Sequence, residues 1–387
     1  MNKLIRRDSK EVGKTLCTGC SACSQVCPNH CIEMEPDQEG FLYPVLRSSN
    51  CIDCGLCEKA CFVLHPKQSI KPLKILAAIN SNSADRLKSS SGGIFPLLAK
   101  KTIENGGIVF GVRFDKDWNV VMSYTDNIDD VVFFQGSKYV QAKIGDMFMK
   151  VRSFLKEGKL VLFSGTGCQI AGLNNFLGRS FDNLLTVEVL CHGVPSPLLW
   201  KKYINDVPGS IQSVSFREKT DSWKRFHFSI TSRCGHTLKN VSVPFYENYY
   251  MRVFLENLSL RPSCYSCFAK NGSSGSDIII GDYWTIDQVE PEMFDDKGTS
   301  VVLLNTTKAI NYFPFGSVKQ KETTLDKELS YNGGFRTVVA MPSKRKQFYK
   351  RMNSDKPIVE VLDGILRPTI FERFLRKCAS INAFIKR

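Results

Sequence analysis

The sequence of 387 residues has no long apolar run and no apolar segment at its N-terminus. A membrane-spanning helix takes about 20 consecutive apolar residues, so the first absence predicts a protein without transmembrane helices. The second absence predicts that no signal peptide is present, because residues 1–14 are polar and basic. We therefore expect a cytoplasmic protein, whose 15 cysteines would stay reduced in that compartment.

Histidine is also scarce, with five residues and no HExxH or comparable spacing, which argues against a histidine-based metal site. The formal net charge is +14, yet the sequence contains no helix-turn-helix, zinc-finger or RNA-binding signature. We expect no nucleic-acid partner. The basic balance instead favours an acidic redox partner, an anionic cofactor or a membrane surface.

Cysteine is the residue that stands out, because eight cysteines form two runs with the same C-x2-C-x2-C-x3-C spacing. Each cysteine of the first run recurs 34 positions later in the second. The first run consists of Cys17, Cys20, Cys23 and Cys27, and the second of Cys51, Cys54, Cys57 and Cys61. This pattern indicates a duplicated unit.

The spacing is typical of paired 4Fe-4S clusters, in which three cysteines of one run hold a cluster and the fourth ligates the other cluster. We therefore predict a crossed pattern: Cys17, Cys20, Cys23 and Cys61 hold one cluster, and Cys51, Cys54, Cys57 and Cys27 hold the second. Zinc is the alternative, but zinc ribbons present separate CxxC pairs, which leaves the third cysteine of each run without a role. Cys31 lies outside both runs and is expected to be a buried structural thiol.

The chain is long enough for a ferredoxin-like domain and a larger second domain. We assign residues 1–68 to the first, an α+β unit. From residue 75 onward, apolar runs typical of strands alternate with helical patterns, which predicts an α/β domain with a mixed sheet. We divide it into residues 75–155 and 156–340, and we expect residues 341–387 to form a basic helical tail.

Three stretches of the second domain contain candidate cofactor-binding residues. Residues 89–93 read SSSGG before a predicted helix, which suits a phosphate or flavin at a helix N-terminus and equally a serine N-cap. Residues 165–167 read GTG after a predicted strand but lack the third glycine of the GxGxxG fingerprint. Residues 282–284 read DYW after another strand, which suits a polar cofactor group or a capped turn.

Four further cysteines are candidate ligands of a third cluster. Cys168 and Cys191 each follow a predicted strand, and the C-terminal ends of strands line the ligand sites of α/β sheets. Cys264 and Cys267 add a CxxC pair. Spacing alone leaves this third cluster open against unconnected thiols, because a lone CxxC also serves zinc or dithiol chemistry.

Most of the chain resembles two known families. Residues 12–64 resemble the bacterial two-cluster ferredoxins, with Phe62 where that family usually has proline. From Ser89 to Trp284, the chain resembles the β-subunit family of coenzyme F420 hydrogenases and dehydrogenases through the stretches SSGGIFPLLAK, FFQGSKYVQ, LFSGTGCQIAGL, LCHGVPSPLLWKKYI, SFREK, RPSCYSCFAK and SDIIIGDYW. This resemblance implies a ferredoxin module fused to an FAD-binding catalytic domain, with the third cluster on the four cysteines just described.

The same resemblance implies the residues of the flavin site. They are Ser90, Ser91, Gly92, Gly93, Ser137, Lys138, Thr166 and Gln169. Lys138 is the candidate catalytic residue, because its charge would balance the negative charge that develops near a reduced flavin ring. The amides of the Ser-Gly and Gly-Thr-Gly turns are expected to meet phosphate oxygens.

We therefore expect an iron–sulfur, flavin-dependent oxidoreductase with a ferredoxin or another oxidoreductase subunit as its redox partner. Single electrons would pass through the clusters to FAD, for two-electron transfer to a small molecule. The resemblance implies a deazaflavin-like substrate, or a different one linked to surface-polysaccharide synthesis. The alternative is a non-catalytic iron–sulfur electron carrier within a larger redox complex.

The end of the chain shows apolar residues at helical spacing from Ile370 to Ile385, with basic residues opposite them. Such a basic amphipathic helix suits peripheral contact with a membrane. It also suits packing on the protein's own domain.

Overall fold

The computed structural model describes residues 13–47, 50–326 and 334–367. The strands are β1 (Ile32–Pro36), β2 (Leu42–Leu46), β3 (Lys74–Asn80), β4 (Ile108–Phe114), β5 (Val120–Thr125), β6 (Val161–Thr166), β7 (Leu184–Val189), β8 (Ser210–Glu218), β9 (His227–Cys234), β10 (Thr237–Pro244), β11 (Ile278–Asp282), β12 (Ser300–Leu304) and β13 (Val318–Glu322). The helices are α1 (Ala22–Val26), α2 (Leu56–Lys59), α3 (Ser83–Lys88), α4 (Ile94–Glu104), α5 (Val131–Phe134), α6 (Met147–Lys156), α7 (Gly167–Leu177), α8 (Pro197–Asn205), α9 (Tyr249–Leu255), α10 (Ile286–Val289), α11 (Thr307–Tyr312), α12 (Arg345–Met352) and α13 (Ile358–Leu366).

The larger region is built on one eight-stranded sheet in the order β13-β3-β12-β11-β7-β6-β4-β5. Its four central strands, β11, β7, β6 and β4, are parallel neighbours, whereas the outer strands pair antiparallel. Strands β6 and β7 read as nearly continuous apolar runs, as expected of strands that helices cover on both faces. The predicted mixed-sheet α/β class is confirmed.

The sheet joins the two segments into which the sequence was divided. Strand β4 precedes residue 155, and it pairs in parallel with β6, which follows that residue. Strand β3, near the start of the larger region, pairs with both β12 and β13. Segments 75–155 and 156–340 therefore share a single sheet and a single core.

The ferredoxin-like region has a short hairpin, β1 and β2, beside the two short helices α1 and α2. It is packed firmly on the larger region. Phe41 and Tyr43 from the hairpin are buried in the same apolar cluster as Leu199 of α8. The side-chain oxygen of Gln25 in α1 accepts hydrogen bonds from the backbone amides of Phe148 and Met149 at 2.8 and 3.2 Å. The two regions therefore hold a fixed relation to each other.

The predicted C-terminal tail is partly a packed element. Helix α13 lies against α8 and α9, α12 lies against α13, and Phe348 and Leu362 are fully buried in the largest apolar cluster. The predicted amphipathic helix, residues 370–385, lies outside the described residues, as does the whole of 368–387. Within the described ranges, every helix is too short or too polar to cross a membrane.

Candidate functional site

The cysteines of the two repeated runs line two separate cavities. Cys17, Cys20, Cys23 and Cys61 line the first cavity. Cys27, Cys51, Cys54 and Cys57 line the second cavity. Each run therefore supplies one cysteine to the cavity of the other run. Helix α1 accounts for this in the first run, because Cys23 at its start faces the first cavity and Cys27 directly after its end faces the second. The structure thus brings the cysteines together in the crossed pattern that the spacing predicts.

The second cavity contains one thiol more than the predicted set. Cys31 is buried, lines this cavity, and has its sulfur 3.2 Å from the sulfur of Cys27. The sequence predicts its burial but contains no signal for this contact, because Cys31 lies outside the repeat. Its position makes it a direct neighbour of a predicted ligand.

A third cysteine cavity lies at the C-terminal edge of the parallel strands. Cys168 is in the first turn of α7, directly after β6, and Cys191 follows β7, the neighbouring strand. Cys264 and Cys267 come from a short 3-10 turn that begins after Arg261. All four cysteines line the same cavity, so residues 168 to 267 supply a complete tetrad.

The chemistry of these donor sets fits iron–sulfur clusters. Burial raises the pKa of the thiols of Cys20, Cys191 and Cys264 to about 12, so these groups stay protonated until a cationic core displaces the proton. Among the described residues, no three metal-binding side chains stand close enough to hold a single ion. A zinc ion, with Zn–S bonds of about 2.3 Å, requires such a close group. Four soft thiolates around each cavity are the ligand set of a 4Fe-4S cluster.

A larger cavity of about 260 Å³ adjoins the third cysteine cavity. Seven of the eight predicted flavin-site residues line it, namely Ser90, Ser91, Gly93, Ser137, Lys138, Thr166 and Gln169. The exception is Gly92, whose amide donates to Ser300 Oγ at 3.0 Å. A Cβ at this position would lie 2.4 Å from the carbonyl oxygen of Ala78, so Gly92 serves close packing against β3 rather than contact with a cofactor.

Several polar groups of the large cavity bind one another. Ser90 Oγ accepts hydrogen bonds from the amide and the hydroxyl of Ser137 at 2.7 and 2.9 Å. The amide of Thr166 donates to Gln169 Oε1 at 2.9 Å. The predicted amide cradle is therefore partly occupied by internal bonds. In the part of the chain that the structure describes, Gln135 Nε2 is buried in this wall without a partner, which leaves it available to a ligand.

Lys138 has an unusual environment in the wall of the large cavity. Although the residue is only half-buried, desolvation of its amine lowers its pKa to about 7. The ammonium group donates to the carbonyl oxygens of Gln135 and Gly136 at 2.9 and 3.2 Å. These neutral acceptors do not offset the desolvation, so the amine can gain or lose a proton near neutral pH.

Sequence reasoning missed the ion pair that supports this cavity. Arg217 of β8 is buried and pairs with Asp282 at the end of β11, with Nη1–Oδ2 at 3.0 Å. It also donates to the carbonyl oxygen of Ser90 and to the hydroxyl of Tyr139, both at 3.2 Å. Arg217 therefore ties the SSSGG turn to the segment that carries Lys138. The SFREK stretch contains it, but nothing in that stretch indicates its burial.

The sequence also did not indicate the acid at the third cysteine cavity. Glu188 of β7 lines this cavity and accepts hydrogen bonds from Ser274 and Ser276. Burial raises its pKa to about 7, and the two hydroxyls oppose that rise. These serines lie in the segment before Asp277, so its polar composition serves to solvate a buried carboxyl group.

The first cavity, the third cavity and the large cavity are joined by shared lining residues, and α1 links the first cavity to the second. The first and third share Thr18, and the third and the large one share Thr166, Cys191 and His192 among others. Thr166 Oγ1 lies 3.2 Å from the sulfur of Cys168. The apolar residues Phe62, Ala171 and Ala269 pack together with Cys20, Cys168 and Cys267. Phe62, at the position where ferredoxins usually have proline, thus fills the wall between two cysteine cavities.

Comparisons with known proteins match the ferredoxin-like region and the larger region to two separate families. Residues 16–63 match the 4Fe-4S dicluster domain family, and residues 158–326 match the family that describes the C terminus of the coenzyme F420 hydrogenase/dehydrogenase beta subunit. A comparison with curated proteins finds no match. Among solved structures, a chain of the F420-reducing nickel-iron hydrogenase complex from Methanosarcina barkeri is similar, with 16% identity and a TM-score of 0.45, over 77% of this chain and 91% of that chain.

These matches confirm both family resemblances that the sequence motifs indicated. The first match spans both cysteine runs, and the second includes β6, β7 and all four cysteines of the third cavity. Residues 16–63 are thus similar to a 4Fe-4S dicluster domain, residues 158–326 are similar to the C-terminal part of the coenzyme F420 hydrogenase/dehydrogenase beta subunit, and the chain is an iron–sulfur electron-transfer protein related to that subunit.

Proposed function

We propose that the protein is a cytoplasmic iron–sulfur flavoprotein oxidoreductase that passes single electrons between a protein redox partner and a flavin. One observation carries this proposal: three cysteine tetrads and one large cavity form a contiguous series. Electron transfer between cofactors requires such closeness, whereas structural metal sites do not. The second cavity is one end of the series, and the large cavity is the other.

The chain's own residues would insulate and connect the clusters. Helix α1 separates the first two tetrads by a single turn between Cys23 and Cys27. Thr18 and the Phe62 cluster lie between the first and third tetrads. Thr166 and Cys191 then separate the third tetrad from the large cavity. Each step therefore crosses only one layer of protein.

The large cavity would hold the flavin. A flavin supplies the exchange between one-electron and two-electron transfer. The N-terminus of α4 lies in the cavity wall at Gly93 and Ile94, where its partial positive charge favours a phosphate. Ser91, Thr166 and Gln135 line the same cavity and would orient the cofactor. Arg217 would hold the SSSGG turn in position.

Lys138 would act at the reacting end of the cavity. With a pKa of about 7, its amine holds a proton at Nζ or releases it within the physiological range. The charged form would balance negative charge in the cavity, and the proton would accompany a two-electron transfer. The two-electron substrate would be a small molecule, deazaflavin-like or of another class, in the open part of this cavity.

The test is anaerobic isolation with iron, sulfide and flavin quantified together. The proposal predicts about 12 iron atoms per chain, in three four-iron clusters, and one bound flavin. A result of about 8 iron atoms with no flavin, even after reconstitution, would overturn it. Three clusters without flavin and without two-electron turnover would instead indicate an electron-carrier subunit of a larger redox complex.

A further inference from the structure

Arg261 is a buried cation with an unusual set of partners. Its side chain is fully buried between the ferredoxin-like hairpin and the third cysteine cavity. Its Nε donates to the carbonyl oxygen of Cys17 at 2.7 Å, and Nη2 donates to that of Leu42 at 2.9 Å. Its Nη1 donates to Gln141 Oε1 at 3.0 Å. Every one of these oxygen acceptors is electrically neutral.

The other buried arginines of the described chain have a different arrangement. Arg86 pairs with Asp295, Arg217 with Asp282, and Arg345 with Glu39, each at 3.0 Å or less. Within the described ranges, Arg261 has no carboxylate within 4 Å, although it is the most deeply buried of the four. A buried charge without a counter-charge is costly, so a negative partner is expected at this position.

The groups around Arg261 identify that partner. Its Nη2 lies 3.8 Å from the sulfur of Cys17, a predicted ligand of the first cluster. The same side chain lines the third cavity together with Cys264 and Cys267. Four thiolates around a 4Fe-4S core carry a net negative charge, and each cluster gains one further negative charge on reduction. Arg261 therefore lies against two sites of developing negative charge.

The local backbone is adapted to this position. Gly19, within the first cysteine run, has a positive φ of 69°, and a Cβ there would lie 2.8 Å from Arg261 Nη1. The guanidinium group is also stacked 4.2 Å from the ring centre of Tyr43. A glycine on one side and an aromatic ring on the other leave room for a planar cation and hold it in place.

We propose that Arg261 is the shared counter-ion of the first and third clusters and raises the reduction potential of both. This inference rests on the proposed function, because it needs clusters in both cavities. Reduction of either cluster adds one electron and no proton, and the fixed cation stabilises that added charge. The second cluster does not contact Arg261 and keeps a lower potential. This difference in reduction potential favours transfer of electrons from the second cluster to the first and third clusters.

The test compares redox titrations of anaerobically purified variants, monitored by electron paramagnetic resonance. Arg261→Met removes the charge and keeps an extended side chain, whereas Arg261→Lys keeps the charge. Arg86→Met is the matched control, because Arg86 is a buried arginine that pairs with Asp295 and lines none of the cysteine cavities. Iron and sulfide content is measured for each variant.

In Arg261→Met, we expect the reduced-to-oxidised ratio of the first and third clusters to fall at least tenfold at a fixed potential, which is 59 mV for a one-electron couple. The second cluster and the Arg86→Met protein should keep the wild-type potentials, and Arg261→Lys should show a smaller shift. Selective loss of first-cluster and third-cluster iron in Arg261→Met, with retention in Arg261→Lys, would also support the counter-ion role.

Two results would overturn the inference. One is full iron content in Arg261→Met with all potentials unchanged. The other is equal loss of iron in Arg261→Met and Arg261→Lys, which would mean that the residue serves packing alone. Failure of the proposed function looks different, because the wild-type protein itself would then lack the third cluster or the flavin. In that case, a shift confined to the first cluster would still support Arg261 as its counter-ion.

Discussion

The first and second cysteine cavities arise from the same repeated spacing, yet their surroundings differ. At the second cavity, Cys54 is exposed, and Ile52 beside it is 66% exposed. At the first cavity, Ala22 is fully buried, and the backbone of Gly172 in α7 leaves just enough space for the sulfur of Cys20. Cys54 of the second cavity is the one exposed cysteine among the described residues, whereas the cysteines of the first cavity are buried or partly buried and lie close to α7.

This difference shows how two equal ligand sets acquire different roles. A protein partner can approach the second cavity, because exposed apolar side chains such as Ile52 and Leu56 surround it. The cysteines of the first cavity are at most partly exposed, which would favour exchange of electrons with neighbouring sites of the same protein. The repeat therefore supplies two similar sites, and under the proposed function their position in the fold would make the second site the entry for electrons and the first a relay.

The largest expected effect comes from breaking the crossed ligation that separates the two cavities. In a Cys27→Ala/Cys54→Ala protein, both lost ligands belong to the second cavity, so about 8 of about 12 iron atoms should remain. In the matched Cys23→Ala/Cys54→Ala protein, the ligands belong to different cavities, and about 4 should remain. Anaerobic iron and sulfide analysis measures both. Equal iron contents in the two proteins would contradict the crossed pattern.

A second prediction concerns the other end of the series, where Lys138 lines the large cavity. Because burial lowers its pKa from the ordinary range to about 7, the cation is present below that pH and is lost above it. The rate of two-electron transfer should therefore fall as the pH rises through 7. Lys138→Met should lower the rate about 100-fold at neutral pH, through loss of a preorganised positive charge.

The pH dependence has a matched control in Lys138→Arg, because a guanidinium group stays charged over this whole range. The measurement is the single-turnover rate of flavin oxidation by the substrate on both sides of pH 7. A profile that is the same in Lys138→Arg and the wild type would assign the titration to another group.

A third prediction sharpens the contrast in packing between the two cavities. Gly172 lies within α7, and a Cβ there would be 2.9 Å from the sulfur of Cys20. Gly172→Ala should therefore cost about 1–3 kcal/mol of stability through overpacking and should lower first-cluster iron. Gly364→Ala in α13 is the control, because its nearest atom is 3.7 Å away and alanine favours a helix by about 1 kcal/mol. Thermal unfolding of both holoproteins gives the comparison.

The smallest effect is expected at the open cavity. Ile52→Glu should raise the KM for a protein electron donor about fivefold, or about 1 kcal/mol, because one exposed apolar contact is lost. Reduction by a small chemical reductant should not change. Leu238→Glu is the control, since Leu238 is 56% exposed on β10, away from the cysteine cavities. Equal effects of the two substitutions would argue against docking at the second cavity.

Much of the fold could be predicted because local patterns specify it. The alternation of apolar runs and helical patterns after residue 75 predicted an α/β region, and it occurs as the strands β3, β4, β6, β7 and β11 and the helices α4, α7 and α8. The order of the strands could not be predicted. Strand β3 pairs with β12 and β13, which lie more than 200 residues away, and such partners are chosen by burial of whole sheet faces rather than by local sequence.

The candidate site could also be predicted only in part from the sequence. The spacing of the eight repeated cysteines predicts which of them line the same cavity, since a tight loop holds three ligands within a few residues. Gly92 shows the limit, because its amide was expected to meet a phosphate and instead donates to Ser300 from another strand. Arg261 is a second example of this limit. Its place before Pro262 and the CxxC pair is visible in the sequence, but its burial without a carboxylate is not.

The sequence by itself predicted the cluster ligands of the repeated runs, and it determined the α/β character of the larger region and the related families, because each depends on spacing or on short motifs. Only the tertiary structure decided which cluster cavity is open, which polar groups are already hydrogen-bonded and where an uncompensated cation lies. The physical reason is that solvent exposure, hydrogen-bond partners and electrostatic neighbours depend on residues far apart in the chain. The exposed Cys54 and the partly buried Cys20 occupy equivalent positions of one repeat, and they differ in what the rest of the fold places against them.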